Sequence, residues 1–191
     1  MSEQQENAST HTAVEHSPKR GAKRLVTIVL GVALLAGLFF AGRWYLTCPC
    51  DTMPGAVLWG DVVEEPVADW TFANNVELCQ VQVQGALLSQ ANNLNCMATP
   101  DGTLYLSCST CEPKRWSRLA RANPNGRVRL DGLVYPVTLT HVTDPAEADR
   151  SWNARLAKLE NSTVLGAGTP VGTPRPSDAQ WWTFRVESRV E

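Results

Sequence analysis

The longest uninterrupted apolar stretch of the chain lies near its N-terminus, at residues 25–41, and contains no charged side chain. A helix needs roughly 17–25 apolar residues to cross the core of a bilayer, and this stretch with the glycine after it reaches that length. Trp44 and Tyr45 follow, in the place where aromatic residues anchor a helix at the membrane surface. We therefore predict a transmembrane helix over residues 25–42, preceded by a disordered cytoplasmic tail at residues 1–24.

The charges that flank this stretch predict its orientation. Only Arg43 follows it closely, whereas four basic residues precede it: Lys19, Arg20, Lys23 and Arg24. By the positive-inside rule the N-terminus stays in the cytoplasm and the remainder is exported. In a bacterium this predicts a single-pass inner-membrane protein with a periplasmic C-terminal domain. A cleaved signal peptide is the alternative, but it has a shorter apolar core and small residues at its cleavage site.

Six segments beyond residue 75 have the composition of strands. Residues 76–84 alternate most clearly, with three glutamines on one face and Cys79, Val81 and Val83 on the other. Two pairs of segments are joined by sequences typical of tight turns, one of them Asp131-Gly132 and the other Pro-Asp-Gly. The predicted strands are 76–84, 93–99, 103–108, 127–130, 133–142 and 181–187.

Two helices are predicted between these strands. The first, at residues 112–122, has Trp116 and Leu119 on one face and basic side chains on the other. The second begins at Asp144-Pro145, a typical N-cap followed by proline at the first helical position, and its apolar stripe includes Trp152.

This order of elements predicts an α+β protein. Consecutive antiparallel strands with two helices are typical of a small curled sheet or barrel. We place the barrel domain at residues 76–191. Residues 43–75 are rich in proline and glycine and are predicted to be a tether with one short strand at residues 56–59.

All six cysteines lie beyond the apolar stretch: Cys48, Cys50, Cys79, Cys96, Cys108 and Cys111. An even number in an exported domain predicts disulfides. Cys79 and Cys96 belong to consecutive predicted strands and could face each other. Cys108 and Cys111 could pair with each other or with the first two cysteines, and a redox-active C-x-x-C or a thiolate metal site are the alternatives.

Charge and composition exclude several classes of function. The formal net charge is −2, from 17 basic and 19 acidic residues, which is unlike a strongly basic nucleic-acid-binding protein. We therefore expect no nucleic-acid partner. His141 is the one histidine beyond the apolar stretch, so no histidine pair for a metal or a catalytic triad is predicted.

The stretch from Tyr105 to Trp152 resembles the flavin-binding split barrels of the pyridoxamine phosphate oxidase superfamily, and within it the deazaflavin-dependent nitroreductases. The order of several features carries this resemblance, since each is common alone. The features are the strand at Leu104–Ser107, Trp116 seven residues before Asn123-Pro124, a strand centred on Val128, Pro136-Val137, and Val142–Glu147 leading to Trp152.

The resemblance implies a split barrel that binds FMN or a deazaflavin, and it implies a homodimer with the cofactor between subunits. In that family the cofactor phosphate lies near the end of the third strand and the start of the next helix. Hydroxyls, cations and the free amides of a helix start also form an anion site on physical grounds. The residues at these positions are Ser107, Ser109, Thr110, Lys114, Arg115 and Trp116.

Three functional hypotheses remain open at this point. The first is a flavin- or deazaflavin-dependent oxidoreductase. The second is a cofactor-free binding or interaction module of the envelope with the same fold. The third is a thiol redox protein that uses Cys108 and Cys111. No catalytic residue can be assigned from the sequence.

Overall fold

The structure is a computed structural model that describes residues 19–46, 55–160 and 172–190. The chain divides into two compact units, at residues 1–41 and 42–191. Helix α1 (Lys19–Leu46) is a candidate membrane span, since its segment from Lys23 to Leu46 has a mean hydropathy of 2.5. Its apolar side chains are exposed.

The second unit contains a closed antiparallel barrel, which confirms the predicted fold class. The strands follow the order β1-β2-β3-β6-β5-β4 around the barrel, and each pairs with two antiparallel neighbours. Closure leaves no unpaired edge strand. The strands are β1 (Cys79–Val83), β2 (Gln90–Ala98), β3 (Leu104–Ser109), β4 (Asn125–Leu130), β5 (Leu133–His141) and β6 (Trp181–Ser188).

Two further helices accompany the barrel, as predicted. Helix α2 (Arg115–Ala122) follows β3 and buries Trp116 and Ala120 with the barrel core. Helix α3 (Pro145–Glu160) follows β5 and packs against β2. At its start Asp144 accepts a hydrogen bond from the Glu147 amide at 2.9 Å, which is the predicted N-cap.

Strand alternation determines which side chains fill the barrel. Leu104 and Leu106 of β3 and Phe184 of β6 point inward and are completely buried. Burying each such side chain contributes about 1.5–3 kcal/mol. The intervening residues of β3, among them Ser107 and Ser109, therefore lie on the outer face of the barrel wall.

The structure differs from the predictions at several boundaries. Strand β2 begins at Gln90, three residues before the predicted start, because Gln90 pairs with Val83 of β1. The short strand predicted at residues 56–59 is wrong. Only isolated bridges form there, from Gly55 to Ala91 and from Val62 to Val134, while Leu58 is buried against the outer face of the barrel.

A 3₁₀ helix at Thr71–Asn75 was not predicted from the sequence. Its first amide, on Thr71, donates to the Asp69 carboxylate at 2.8 Å, which lowers the pKa of that carboxyl. The predicted N-terminal tail lies outside the described residues up to residue 18. Cys48, Cys50 and residues 161–171 also lie outside them.

Two disulfides form within the barrel domain. Cys79 and Cys96 face each other across β1 and β2 with a Cα–Cα distance of 5.8 Å, as predicted. Cys108 pairs with Cys111 at a Cα–Cα distance of 5.7 Å, which is one of the pairings left open above. All four cysteines are buried.

The two disulfides are expected to differ in how much they stabilise the fold. A cross-link restricts the unfolded chain more when the loop it closes is longer, and the separations here are 17 and 3 residues. Replacing Cys79 and Cys96 by alanine should lower the free energy of unfolding by about 3 kcal/mol, against about 2 kcal/mol for Cys108 and Cys111. Urea unfolding of the two double variants measures these free energies. A larger loss of stability for the Cys108/Cys111 variant would contradict the dependence on loop length.

Candidate functional site

A polar cleft of about 250 Å³ lies between α3 and the outer face of β2, β3 and β6. It is the place where the outward-facing polar residues of three strands meet a cation from the helix. Its polar lining consists of Asn93, Asn95, Ser107, Ser109, Lys114 and Arg155, together with the indole of Trp181.

Strand register brings these side chains together. Asn95 of β2 pairs with Ser107 of β3, and Ser109 of β3 pairs with Trp181 of β6. Residues opposite each other on neighbouring strands point to the same face of a sheet. The polar positions of the three strands therefore form one continuous patch.

Helix α3 closes one side of this patch. The Ser151 hydroxyl lies 3.1 Å from the Thr183 hydroxyl of β6. The rings of Trp152 and Trp181 pack edge to face with centroids 5.0 Å apart. This geometry is favourable for aromatic pairs, so the contact holds α3 against β6.

Arg155 is the cation that α3 contributes to the cleft. Its guanidinium lies 5.2 Å from the centroid of the Trp152 ring and 4.8 Å from that of Trp181. Burial lowers the pKa of Arg155 from its usual value. Within the described part of the chain no carboxylate forms an ion pair with it. Among the described residues, the groups that stabilise this positive charge are the two aromatic faces.

Four buried polar atoms around the cleft have no hydrogen-bond partner among the described residues. They are Asn95 Oδ1, Ser107 Oγ, Arg155 Nε and Trp181 Nε1, one from each of four elements. Leaving a buried polar atom unpaired costs about 1–3 kcal/mol, and native structures contain few such atoms.

The chemistry of these atoms indicates what would satisfy them. Three of the four can donate, namely the hydroxyl of Ser107, the guanidinium of Arg155 and the indole of Trp181, whereas Asn95 Oδ1 is an acceptor. With the ammonium of Lys114 in the same lining, they fit a group that carries negative charge on several oxygens. A phosphate is such a group.

The structure divides the six predicted binding residues into two groups. Ser107, Ser109 and Lys114 all line the cleft. Thr110 lies between the two cysteines of the second disulfide with φ of 49°, and its amide donates to the Gln180 carbonyl oxygen at 2.6 Å.

Like Thr110, the remaining two predicted residues, Arg115 and Trp116, are absent from the cleft lining. Arg115 donates to Gln90 Oε1 at 2.9 Å and lies beside the Leu88 carbonyl, so it reaches the turn between β1 and β2. Trp116 is 3% exposed and packs in the barrel core, 5.4 Å from the Phe184 ring. A direct role for either in binding stays a prediction.

The sequence prediction missed Arg155 and two of the three asparagines of β2, Asn93 and Asn95. Arg155 lies 41 residues beyond Lys114, so no local motif connects them. One signal was present: Arg155 lies on the buried side of α3, between Trp152 and Leu156, where an apolar residue is usual.

Comparison with known proteins adds little for function. No family model matches the chain, and no curated protein matches it. Matching solved structures include a NimC/NimA family protein from Clostridium acetobutylicum, with 11% identity and a TM-score of 0.44 over 61% of this chain and 77% of that one.

Two other matches have similar scores. A candidate pyridoxamine 5′-phosphate oxidase from Listeria innocua has 16% identity and a TM-score of 0.43, over 62% of this chain and 88% of its own. An FAD-binding protein from Mycobacterium smegmatis has 15% identity and a TM-score of 0.38, over 65% and 96%. At these identities and TM-scores the likeness carries no conclusion about what this chain binds.

Removing an unpaired buried hydroxyl should raise the free energy of unfolding, whereas removing a paired one should lower it. Ser107→Ala is expected to raise the free energy of unfolding by about 1 kcal/mol, because it deletes a buried donor without a partner. Ser151→Ala is the matched control, since its buried hydroxyl donates to the Ala148 carbonyl oxygen and contacts Thr183, and it should lower that free energy by about 1 kcal/mol. Chemical unfolding of both variants measures these changes. Equal losses of unfolding free energy would contradict the assignment of Ser107 as an unpaired donor.

Proposed function

We propose that this chain is a membrane-anchored split-barrel protein of the bacterial envelope, and that it binds FMN or a deazaflavin by placing the phosphate in the cleft. On this proposal it acts as an oxidoreductase. The observation that carries the proposal is the convergence of unpaired buried donors and two cations, Arg155 and Lys114, on one cleft. The resemblance of the sequence to flavin-binding split barrels supports a flavin as the ligand.

The residues present fit a phosphate group. Arg155 and Lys114 would balance its charge, while Ser107 and Trp181 would donate hydrogen bonds to its oxygens. Hydrogen bonds to charged groups contribute about 1.5–3 kcal/mol each, more than bonds between neutral groups. Binding would also remove the cost of leaving the Ser107 and Trp181 donors unpaired.

The cleft holds one end of such a cofactor. Pockets that enclose a whole drug-sized ligand measure about 300–1,000 Å³, which is larger than the 250 Å³ found here. The remainder of the ligand would therefore extend beyond the cleft. Leu78 and Leu94 in the lining supply apolar surface for it.

A bound flavin would supply hydride or electron transfer through its ring, and the protein would supply binding and orientation. Arg155 is suited to orienting the phosphate end, because two tryptophan rings restrict the guanidinium to one place. No residue of the chain is assigned a catalytic role.

The proposed location in the envelope rests on two features of the chain. Helix α1 is long and apolar enough to cross a membrane, with its basic flank on the N-terminal side. The two disulfides of the barrel are typical of an oxidising compartment such as the periplasm. A homodimer, which the resemblance implies, belongs to the same proposal.

The small size of the cleft favours a second candidate function. A space of about 250 Å³ also suits a small anion bound without any flavin, as in a cofactor-free envelope binding module. The third hypothesis, thiol redox chemistry, gains no support, because Cys108 is 5% exposed and Cys111 is completely buried.

The flavin proposal is tested by comparing FMN with riboflavin, which lacks the phosphate. Full-length protein in detergent should bind FMN more tightly than riboflavin, measured by quenching of flavin fluorescence. Replacing Lys114 by alanine and Arg155 by methionine together should weaken FMN binding by about two to four orders of magnitude and leave riboflavin binding nearly unchanged.

Arg118→Ala is the control for this experiment, because Arg118 is an exposed cation of α2 that does not line the cleft. It should bind FMN as the wild type does. Binding of inorganic phosphate but not of FMN would favour the second candidate. Equal affinity for FMN and riboflavin, or an unaffected double variant, would overturn the phosphate assignment.

The proposed topology predicts which parts of the chain a protease can reach. In spheroplasts treated with an added protease, an epitope tag at the C-terminus should be lost and a tag at the N-terminus should be retained. Protection of the C-terminal tag would reverse the orientation. Absence of the N-terminal tag from the mature protein before treatment would identify α1 as a cleaved signal peptide.

A further inference from the structure

Lys158 is a partly buried lysine whose amino group bonds to three backbone carbonyls and also lies 3.7 Å from Cys96 Sγ. It lies in the last turn of α3. Its Nζ donates to the carbonyl oxygens of Ala73 at 2.9 Å and Cys96 at 2.7 Å, and to that of Val76. An ammonium has three donors, so these carbonyls use all of them.

The three carbonyls come from different parts of the fold. Ala73 belongs to the 3₁₀ helix, Val76 to the segment before β1, and Cys96 to β2. Lys158 therefore ties the end of α3 to three backbone segments at once. Its positive charge also suits the C-terminal end of a helix, where the helix dipole is negative.

This contact lies beside the cleft. Arg155 precedes Lys158 by three residues, which is nearly one helical turn, so both point to the same side of α3. On β2 the bonded Cys96 is next to Asn95, which lines the cleft. A shift of the last turn of α3 over β2 would therefore move Arg155 relative to Asn95 and Ser107.

We propose that Lys158 is a positioning residue for the cleft: its ammonium fixes the last turn of α3 and thereby holds Arg155 where an anion can meet it. This inference rests on the anion-binding function proposed above. Lys158 itself does not touch the ligand, since it is absent from the cleft lining.

The protonation of Lys158 gives this arrangement a dependence on pH. Burial lowers the pKa of Lys158 to about 8, while the charge of Glu77 acts in the opposite direction. The 3₁₀ helix carries no titratable side chain. Strand β2 carries none either, because its one cysteine, Cys96, is in a disulfide. On α3 itself the nearest charged residues are Arg155 and Glu160.

Loss of the proton leaves two donors for three carbonyls. One carbonyl then loses its partner, and the last turn of α3 is held less firmly. Anion binding is therefore expected to weaken as the pH rises through about 8.

The test uses inorganic phosphate as the probe and full-length protein in detergent. Lys158→Met should weaken phosphate binding about tenfold at pH 7, since Arg155 is then no longer held in place. The phosphate affinity of the wild type should fall by a similar factor between pH 7 and pH 9.5. Lys158→Arg keeps its charge over this range, so its affinity should fall less with pH than that of the wild type, while the ionisation of phosphate itself affects both proteins alike. Arg150→Met removes an exposed charge from the same helix and should behave as the wild type.

A second measurement needs no ligand. Hydrogen exchange of the amides at residues 155–160, compared at pH 7, should be faster in Lys158→Met than in the wild type. If the wild type binds neither FMN nor phosphate, the proposed function fails, while faster exchange would still support the contact made by Lys158. If the wild type binds phosphate and Lys158→Met binds it equally, with unchanged exchange, the inference is overturned. Should Lys158→Met not fold, the pH profiles of the wild type and Lys158→Arg decide.

Discussion

The packing of α3 against the outer face of β2 and β6 is the contact on which the cleft depends. Without it, Ser107 and Trp181 would face water on the outside of the barrel. With it, their polar atoms are buried and have no hydrogen-bond partner within the described part of the chain. The contact itself is favourable, because Trp152 packs edge to face on Trp181 and Ser151 meets Thr183. The packing of α3 thus creates a polar cleft and lowers stability locally, because it buries polar atoms without partners among the described residues.

The size of that cost argues for a bound group. The three unpaired donors, at about 1–3 kcal/mol each, are a large amount beside a total stability of about 5–15 kcal/mol for an ordinary domain. Arg155 adds a partly buried charge without a carboxylate partner in the described residues. An anion in the cleft would satisfy the unpaired donors together, which explains how one site can gather them.

The sequence predicted the barrel well because its signals are local. Alternation in residues 76–84 and the turn at Asp131-Gly132 each specify a strand or hairpin without reference to distant residues. The site was predicted only in part. Ser107 and Lys114 lie close in sequence, whereas Arg155 reaches them through the packing of α3. The burial of Trp116, by contrast, agrees with the apolar face that helical spacing predicts for α2.

The central claim is that the cleft beside α3 holds a phosphate group. A crystal structure of the protein grown with FMN tests it most directly. The account predicts phosphate oxygens at hydrogen-bond distance, about 2.7–3.2 Å, from Ser107 Oγ, Trp181 Nε1 and the Arg155 guanidinium. FMN bound with its phosphate elsewhere on the barrel, or a cleft in which water alone meets these three side chains, would contradict it.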